Sequence, residues 1–114
     1  MSGVERLTQA QKEWLLAISE ARARGMSSEK ILKLRRSKLA ALGGIISERV
    51  ANRGGTDSFA KSVGIKPEEL RSVCFGLIEL DRFHELYPKI EEKLEFKDSL
   101  KALLKDKFPF LEKK

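Results

Sequence analysis

Apolar residues recur every three to four positions along almost the whole chain, which is the spacing of amphipathic helices. Alternating apolar and polar runs, which would indicate strands, are missing. The pattern therefore predicts an all-α fold, a compact bundle of five to seven helices forming a single domain over residues 1–114. Within it we distinguish N-terminal helices (1–44), a core (45–94) and a C-terminal helix (95–114).

Capping residues place the ends of the first helices. Thr8 and Gln11 have the spacing of a capping box, in which each side chain accepts a hydrogen bond from the other residue's backbone. Gly25 stands where a helix commonly ends in a left-handed residue. Ser27 or Ser28 can then cap a second helix. We expect a short turn between the two helices.

The second helix carries an apolar stripe from Ile31 to Leu42, but Arg35 falls inside that stripe. Either the Arg35 side chain extends along the apolar surface to reach water, or the helix bends near this residue. The pair Gly43-Gly44 is predicted to interrupt the helix, because glycine is a poor helix former.

Charge is distributed unevenly along the chain. The net charge is +6; residues 1–54 contain 11 Lys and Arg against 5 Asp and Glu, whereas residues 55–114 contain 12 of each. Lys30, Lys33, Arg35, Arg36 and Lys38 lie within nine residues. Such a basic segment is typical of a surface that binds a phosphate backbone, and Lys30, Lys33 and Arg36 lie opposite the apolar stripe, where they could do so.

Residues 56–75 contain the pattern of two short helices joined by a tight turn. Thr56 or Asp57 can cap the first helix, and Ala60 is small enough for a helix crossing. Gly64 suits a turn with positive φ, and Pro67 suits the first position of the following helix.

This segment resembles the helix-turn-helix of phage-repressor-like DNA-binding domains, in which the second helix enters the major groove. The resemblance implies a central helix-turn-helix and double-stranded DNA as the partner. It also implies that Arg71 reads guanine, that Glu68 accepts from cytosine and that Ser72 binds a base or a phosphate. The groove-facing positions it implies are Lys66, Pro67, Glu68, Arg71, Ser72 and Phe75. Arg53, just before the motif, is placed for a contact with the DNA backbone.

The composition argues against an enzyme. Cys74 and His84 are the only residues of their kinds, which leaves metal sites and Cys-His or Ser-His catalysis without the residues they need. We expect no cofactor and no metal. Trp14 belongs to an apolar stripe, so we interpret it as core packing and not as a platform for base stacking. The chain contains no long apolar run and no signal-peptide pattern, which predicts a cytoplasmic protein without a membrane partner.

Two functions stay open at this point. The first is a small DNA-binding protein, a transcriptional regulator or accessory factor of phage, plasmid or bacterial type. The apolar C-terminal helix could make it a homodimer or could simply close the domain's own core. The second is a helical adaptor that binds a protein partner, because Glu68 and Glu69 would repel DNA at the start of the reading helix. Binding to structured RNA has weaker support, since no aromatic-rich RNA-binding pattern is present.

Overall fold

Helices account for most of the chain that the computed structural model describes, residues 8–111. In chain order they are α1 (Gln9–Ala23), α2 (Ser28–Arg35), α3 (Lys38–Ala51), α4 (Thr56–Val63), α5 (Pro67–Phe75), α6 (Leu80–Leu94) and α7 (Asp98–Lys107), followed by a 3₁₀ turn at Pro109–Leu111. The described residues contain no strand, so the predicted all-α bundle of five to seven helices is confirmed.

The predicted boundaries of α1 are confirmed. Thr8 Oγ1 accepts a hydrogen bond from Gln11 N at 3.1 Å, and Gln11 Oε1 accepts one from Thr8 N at 2.8 Å. At the other end Gly25 has φ +90°, a left-handed conformation. Ser27 caps α2 by accepting from Lys30 N. The prediction that Thr56 or Asp57 caps α4 is wrong, since Gly55 occupies that position without a side-chain hydrogen bond.

The apolar stripe from Ile31 to Leu42 belongs to two helices and not to one. The chain leaves the helix after Arg35, and the Ser37 hydroxyl caps α3 by accepting from Ala40 N at 3.3 Å. The end of α2 near Arg35 agrees with the expected bend, and the exposed Arg35 side chain also lies over the Trp14 ring, in agreement with the other explanation. The cap signal at Ser37 was present in the sequence but was obscured by the continuous apolar periodicity.

The expected interruption at Gly43-Gly44 is wrong, because both glycines lie inside α3. The neighbouring α5 explains why glycine is needed at Gly43. A Cβ added to Gly43 would lie 2.3 Å from the carbonyl oxygen of Cys74, closer than atoms of a folded protein approach. Near the end of the same crossing, a Cβ on Gly76 would lie 2.7 Å from the Ala40 backbone. Close backbone contact between α3 and α5 requires glycine at both positions. The division drawn at residue 44 also falls inside α3.

Helix α5 lies at the centre of the packing and contacts α1, α3 and α4. The main core joins the buried faces of α3 to α7, with Phe59, Leu70 and Phe83 among its fully enclosed side chains. A second, smaller cluster joins α1 and α2 to the segment after α5 through Ala17, Ala21, Ile31 and Leu77. Phe75 packs against both clusters.

The apolar C-terminal helix closes the domain's own core. Leu104 and Phe108 are almost completely buried in the main core, and Phe110 and Leu111 pack against it. Leu103 is the large apolar side chain of α7 that stays mostly exposed, at 59%. None of the helices in the described part of the chain is both long enough and apolar enough to cross a bilayer.

The crossing of α3 and α5 can be tested by comparing alanine at the two adjacent glycines. Gly43→Ala forces its methyl group into the α5 backbone, which cannot move aside as a flexible side chain would. We therefore expect this variant to lower the free energy of unfolding by at least about 2 kcal/mol. A Cβ on Gly44 meets nothing within 4 Å, so Gly44→Ala should stabilise α3 by roughly 0.5–1 kcal/mol. Urea unfolding followed by circular dichroism gives both values; equal effects would contradict this account of Gly43.

Candidate nucleic-acid interface

Helices α4 and α5 form the predicted pair of short helices joined by a tight turn. Gly64 has φ +85°, and the amides of Gly64 and Ile65 both donate to the carbonyl of Ala60, at 2.9 and 3.1 Å. Ala60 is fully buried at the base of the turn, and Pro67 is the first residue of α5. These residues set the local geometry as the sequence indicated.

The side of α5 that a helix-turn-helix would present to DNA is covered by α1. Phe75 packs against Trp14 of α1, with ring centroids 5.2 Å apart. Ser72 is 6% exposed, and its hydroxyl donates to the carbonyl of Glu69 at 2.7 Å. Neither side chain is placed where a base could reach it.

Arg71 is held by carboxylates. Its guanidinium donates to both oxygens of Glu20, at 2.6 and 3.1 Å, and lies 3.5 Å from Glu13 and 3.8 Å from Asp57. The side chain is 11% exposed. The hydrogen bonds to Glu20 and the charges of Glu20 and Glu13 raise the pKa of Arg71 above its ordinary value despite partial burial. Arg71 and Phe75 thus contact α1, and Ser72 is buried with its hydroxyl bonded inside α5, so the structure does not leave these three side chains exposed as the resemblance implied.

The first turn of α5 is the part of the helix that reaches solvent. Lys66 and Glu68 are exposed there, beside partly covered Pro67. Glu69 binds the guanidinium of Arg82. Burial alone would raise the pKa of the Glu69 carboxyl, but its hydrogen bonds with Arg82 and the Lys66 amide outweigh burial and lower that pKa. Lys66 and Glu68 are thus the accessible charged side chains of this turn, and their charges are opposite.

Arg53 has a structural partner at the end of α6. Its guanidinium donates to the carbonyl of Leu94 at 3.1 Å and to that of Lys93 at 3.4 Å, and it lies 3.7 Å from the Glu95 carboxylate. Carbonyls in the last turn of a helix lack intrahelical donors, so a cation stabilises them. The predicted phosphate contact of Arg53 would compete with this arrangement.

Four basic residues of the first half lie within six positions of one another where α2 ends and α3 begins. We call Lys33, Arg35, Arg36 and Lys38 the basic corner; all four are exposed. Among the side chains that the structure describes, none of the four has a carboxylate within 4 Å. Lys30 lies one turn away and is paired with Glu79 at 2.6 Å, so it contributes less free charge than its neighbours.

The basic corner spans the carboxyl end of α2 and the amino end of α3, which Ser37 caps. The partial negative charge of the first helix end offsets the partial positive charge of the second, so the positive charge of the corner comes from its four side chains. The helical pattern placed Lys33 and Arg36 opposite the apolar stripe but did not place Lys38 there. The signal that could have added it is Ser37, because a capping serine predicts that Lys38 opens a new helix beside them.

A groove of about 790 Å³ lies on another part of the surface, between the end of α1 and the starts of α2, α5 and α6. Apolar side chains of Met26, Leu77 and Ile78 line it, and its polar lining carries both signs of charge, including Lys30, Lys66, Glu68 and Arg82. Sequence periodicity did not indicate this groove, because four separate segments form it.

The described residues that could act as a nucleophile or as metal ligands are not arranged for either role. Cys74 is buried, and burial raises the pKa of its thiol to about 12, which makes the thiolate scarce at neutral pH. In residues 8–111 no group of three or more His, Cys, Asp or Glu side chains is arranged to hold a metal ion.

Comparison with protein-family models, with curated proteins and with solved structures finds no match to this chain.

The Arg71 network predicts a large loss of stability when its cation is removed. Arg71→Gln leaves the Glu13 and Glu20 carboxylates partly buried without a counter-charge, which we expect to lower the free energy of unfolding by roughly 2–4 kcal/mol. Arg82→Gln is the matched control, because Arg82 also binds two carboxylates but is exposed, and it should have a much smaller effect. Urea unfolding at pH 7 measures both free energies; similar losses would contradict the larger contribution to stability that burial gives the Arg71 ion pairs.

Proposed function

We propose that this chain is a small non-enzymatic DNA-binding protein that binds the phosphate backbone through the basic corner. The observation that carries the proposal is the group of four exposed cations without carboxylate partners among the described side chains, at the junction of α2 and α3. A role in transcription, as a regulator or accessory factor of phage, plasmid or bacterial type, is the context we propose for this binding.

Recognition would differ from that of the helix-turn-helix family. Contacts with phosphate position a protein on DNA but carry no direct sequence information. With Arg71 bound to carboxylates and Ser72 buried, base reading by α5 has no side chains left except Lys66 and Glu68 at its first turn. We therefore propose binding with little sequence preference, acting by occupancy of the DNA.

Salt dependence and charge reversal test the proposal. Neutralising about four phosphates should give a log–log slope of affinity against salt near −3.6 for duplex DNA. Arg36→Glu combined with Lys38→Glu should weaken binding by at least about tenfold at 0.1 M salt, because it removes two counterion-releasing contacts and adds repulsion. Fluorescence anisotropy with random-sequence duplex is the measurement.

The control for charge reversal is Lys61→Glu combined with Lys89→Glu. These exposed lysines on α4 and α6 give the same change in net charge away from the basic corner. The control should retain most of the affinity. Equal losses of DNA affinity in the two double variants would mean that net charge, and not the basic corner, causes the effect. No binding of duplex DNA by the wild type at about 50 mM salt would reject the proposal.

A second candidate function is a helical adaptor that binds a protein partner. The groove beside the first turn of α5 favours it, because an apolar lining with mixed charges is typical of a protein-binding surface. This function predicts that Glu68→Lys, at the groove, reduces binding of a partner while reversal at the basic corner does not. Quantitative pull-down from the source cells at high and low salt separates the two candidates, since phosphate binding is lost at high salt.

A homodimer through α7 is also part of the proposal for a regulator, but the packing gives it little support. Most apolar side chains of the C-terminal segment are used within the chain, and Leu103 alone on α7 offers a large exposed apolar surface. A stable interface commonly buries about 800 Å² on each partner, far more than one leucine provides.

A further inference from the structure

One member of the basic corner differs from the others in its surroundings. The guanidinium carbon of Arg35 lies over the indole ring of Trp14, 5.0 Å from its centroid. Trp14 is half-buried and also packs against Phe75, at 5.2 Å between centroids. Arg35 itself is exposed, so part of its side chain is accessible to a ligand.

In this arrangement the indole ring of Trp14 supports one face of the planar Arg35 guanidinium. A free arginine side chain loses much rotational freedom when it is ordered by a ligand, whereas Arg35 is already restrained by the indole. Guanidinium planes stack on the faces of nucleobases, and stacking does not depend on the identity of the base. A base that stacked on the same face of Trp14 would have to displace the Arg35 guanidinium.

The neighbours of Arg35 can bind the phosphates on either side of such a base. Arg36 is the next residue and Lys38 opens α3, while Lys33 lies on the preceding turn of α2. In a duplex each base is stacked between its neighbours and presents only its edges in the grooves. Only an unpaired nucleotide can offer a base face to Arg35 while its phosphates contact the other cations.

We infer that the basic corner is a binding site for single-stranded nucleic acid, with an unpaired base stacked on Arg35 and the adjoining phosphates held by Lys33, Arg36 and Lys38. The inference rests on the proposed function and adds the form of the nucleic acid that is preferred. Unpaired DNA and RNA share the chemistry that the site uses, a phosphodiester backbone and an exposed base face.

The experiment separates stacking from charge. The probes are oligothymidylate of about 15 nucleotides, oligouridylate of the same length, an abasic strand of the same length and a duplex, at about 50 mM salt. The abasic strand retains the phosphates but has no base to stack. Wild-type protein should bind oligothymidylate about tenfold more tightly than the abasic strand. Because Trp14 is the only tryptophan, its fluorescence should change on binding oligothymidylate and much less with the abasic strand.

The variant Arg35→Lys keeps the charge and removes the planar group. It should lose most of the preference for oligothymidylate over the abasic strand and change duplex affinity by less than about twofold. Arg49→Lys is the matched control, since Arg49 lies over Phe96 at 5.1 Å in the same kind of pair near the other end of α3. It should behave as the wild type. Circular dichroism establishes that both variants keep their helix content.

The outcomes distinguish this inference from the function on which it rests. Equal wild-type affinity for the abasic strand and oligothymidylate, or equal weakening of all probes by Arg35→Lys, would overturn the stacking site while leaving phosphate binding intact. Absence of binding to every probe would overturn both. Comparison of oligothymidylate with oligouridylate then shows whether DNA or RNA is preferred by this site.

Discussion

The rest of the structure depends on the close crossing of α3 and α5. Gly43 lets the two helices approach until backbone meets backbone, and Gly76 permits the same approach to Ala40 as the chain leaves α5. This contact fixes α5 at the centre of the molecule, where α3, α4 and α1 all pack against it. Packed interiors have little free volume, so a single methyl group at this crossing has consequences for every neighbouring helix.

Because α5 lies at the centre of the packing, several side chains that the resemblance would place toward DNA are covered by neighbouring residues. A recognition helix must leave one side open to DNA, whereas here Trp14 covers Phe75, and Glu13 and Glu20 hold Arg71. The same residue types serve both arrangements, because arginine binds carboxylates and phosphates with the same donors. What differs is the presence of α1 against that side of α5.

The location of the unpaired positive charge follows from the packing. Arg24 donates to the carbonyl of Leu77, Arg53 binds the end of α6 and Arg71 binds carboxylates, so these arginines stabilise the fold. The cations of the basic corner have no carboxylate partners among the described side chains, and one of them is ordered by an indole. The distribution of charge along the sequence placed the excess of Lys and Arg in the first half, but it could not separate these two groups of residues.

The sequence by itself determined the all-α fold, the capping box at Thr8, the turn at Gly64 and the start of α5 at Pro67, because these depend on residues within a few positions of one another. Only the tertiary structure decided that Gly43 lies inside a helix, that Arg71 is covered and that Arg35 meets Trp14. Each of these features depends on segments far apart in the chain: Arg71 and Glu20 are separated by 51 positions, and Arg35 and Trp14 by 21. Helical periodicity indicates which side of a helix is apolar, but it does not indicate which neighbouring helix covers that side.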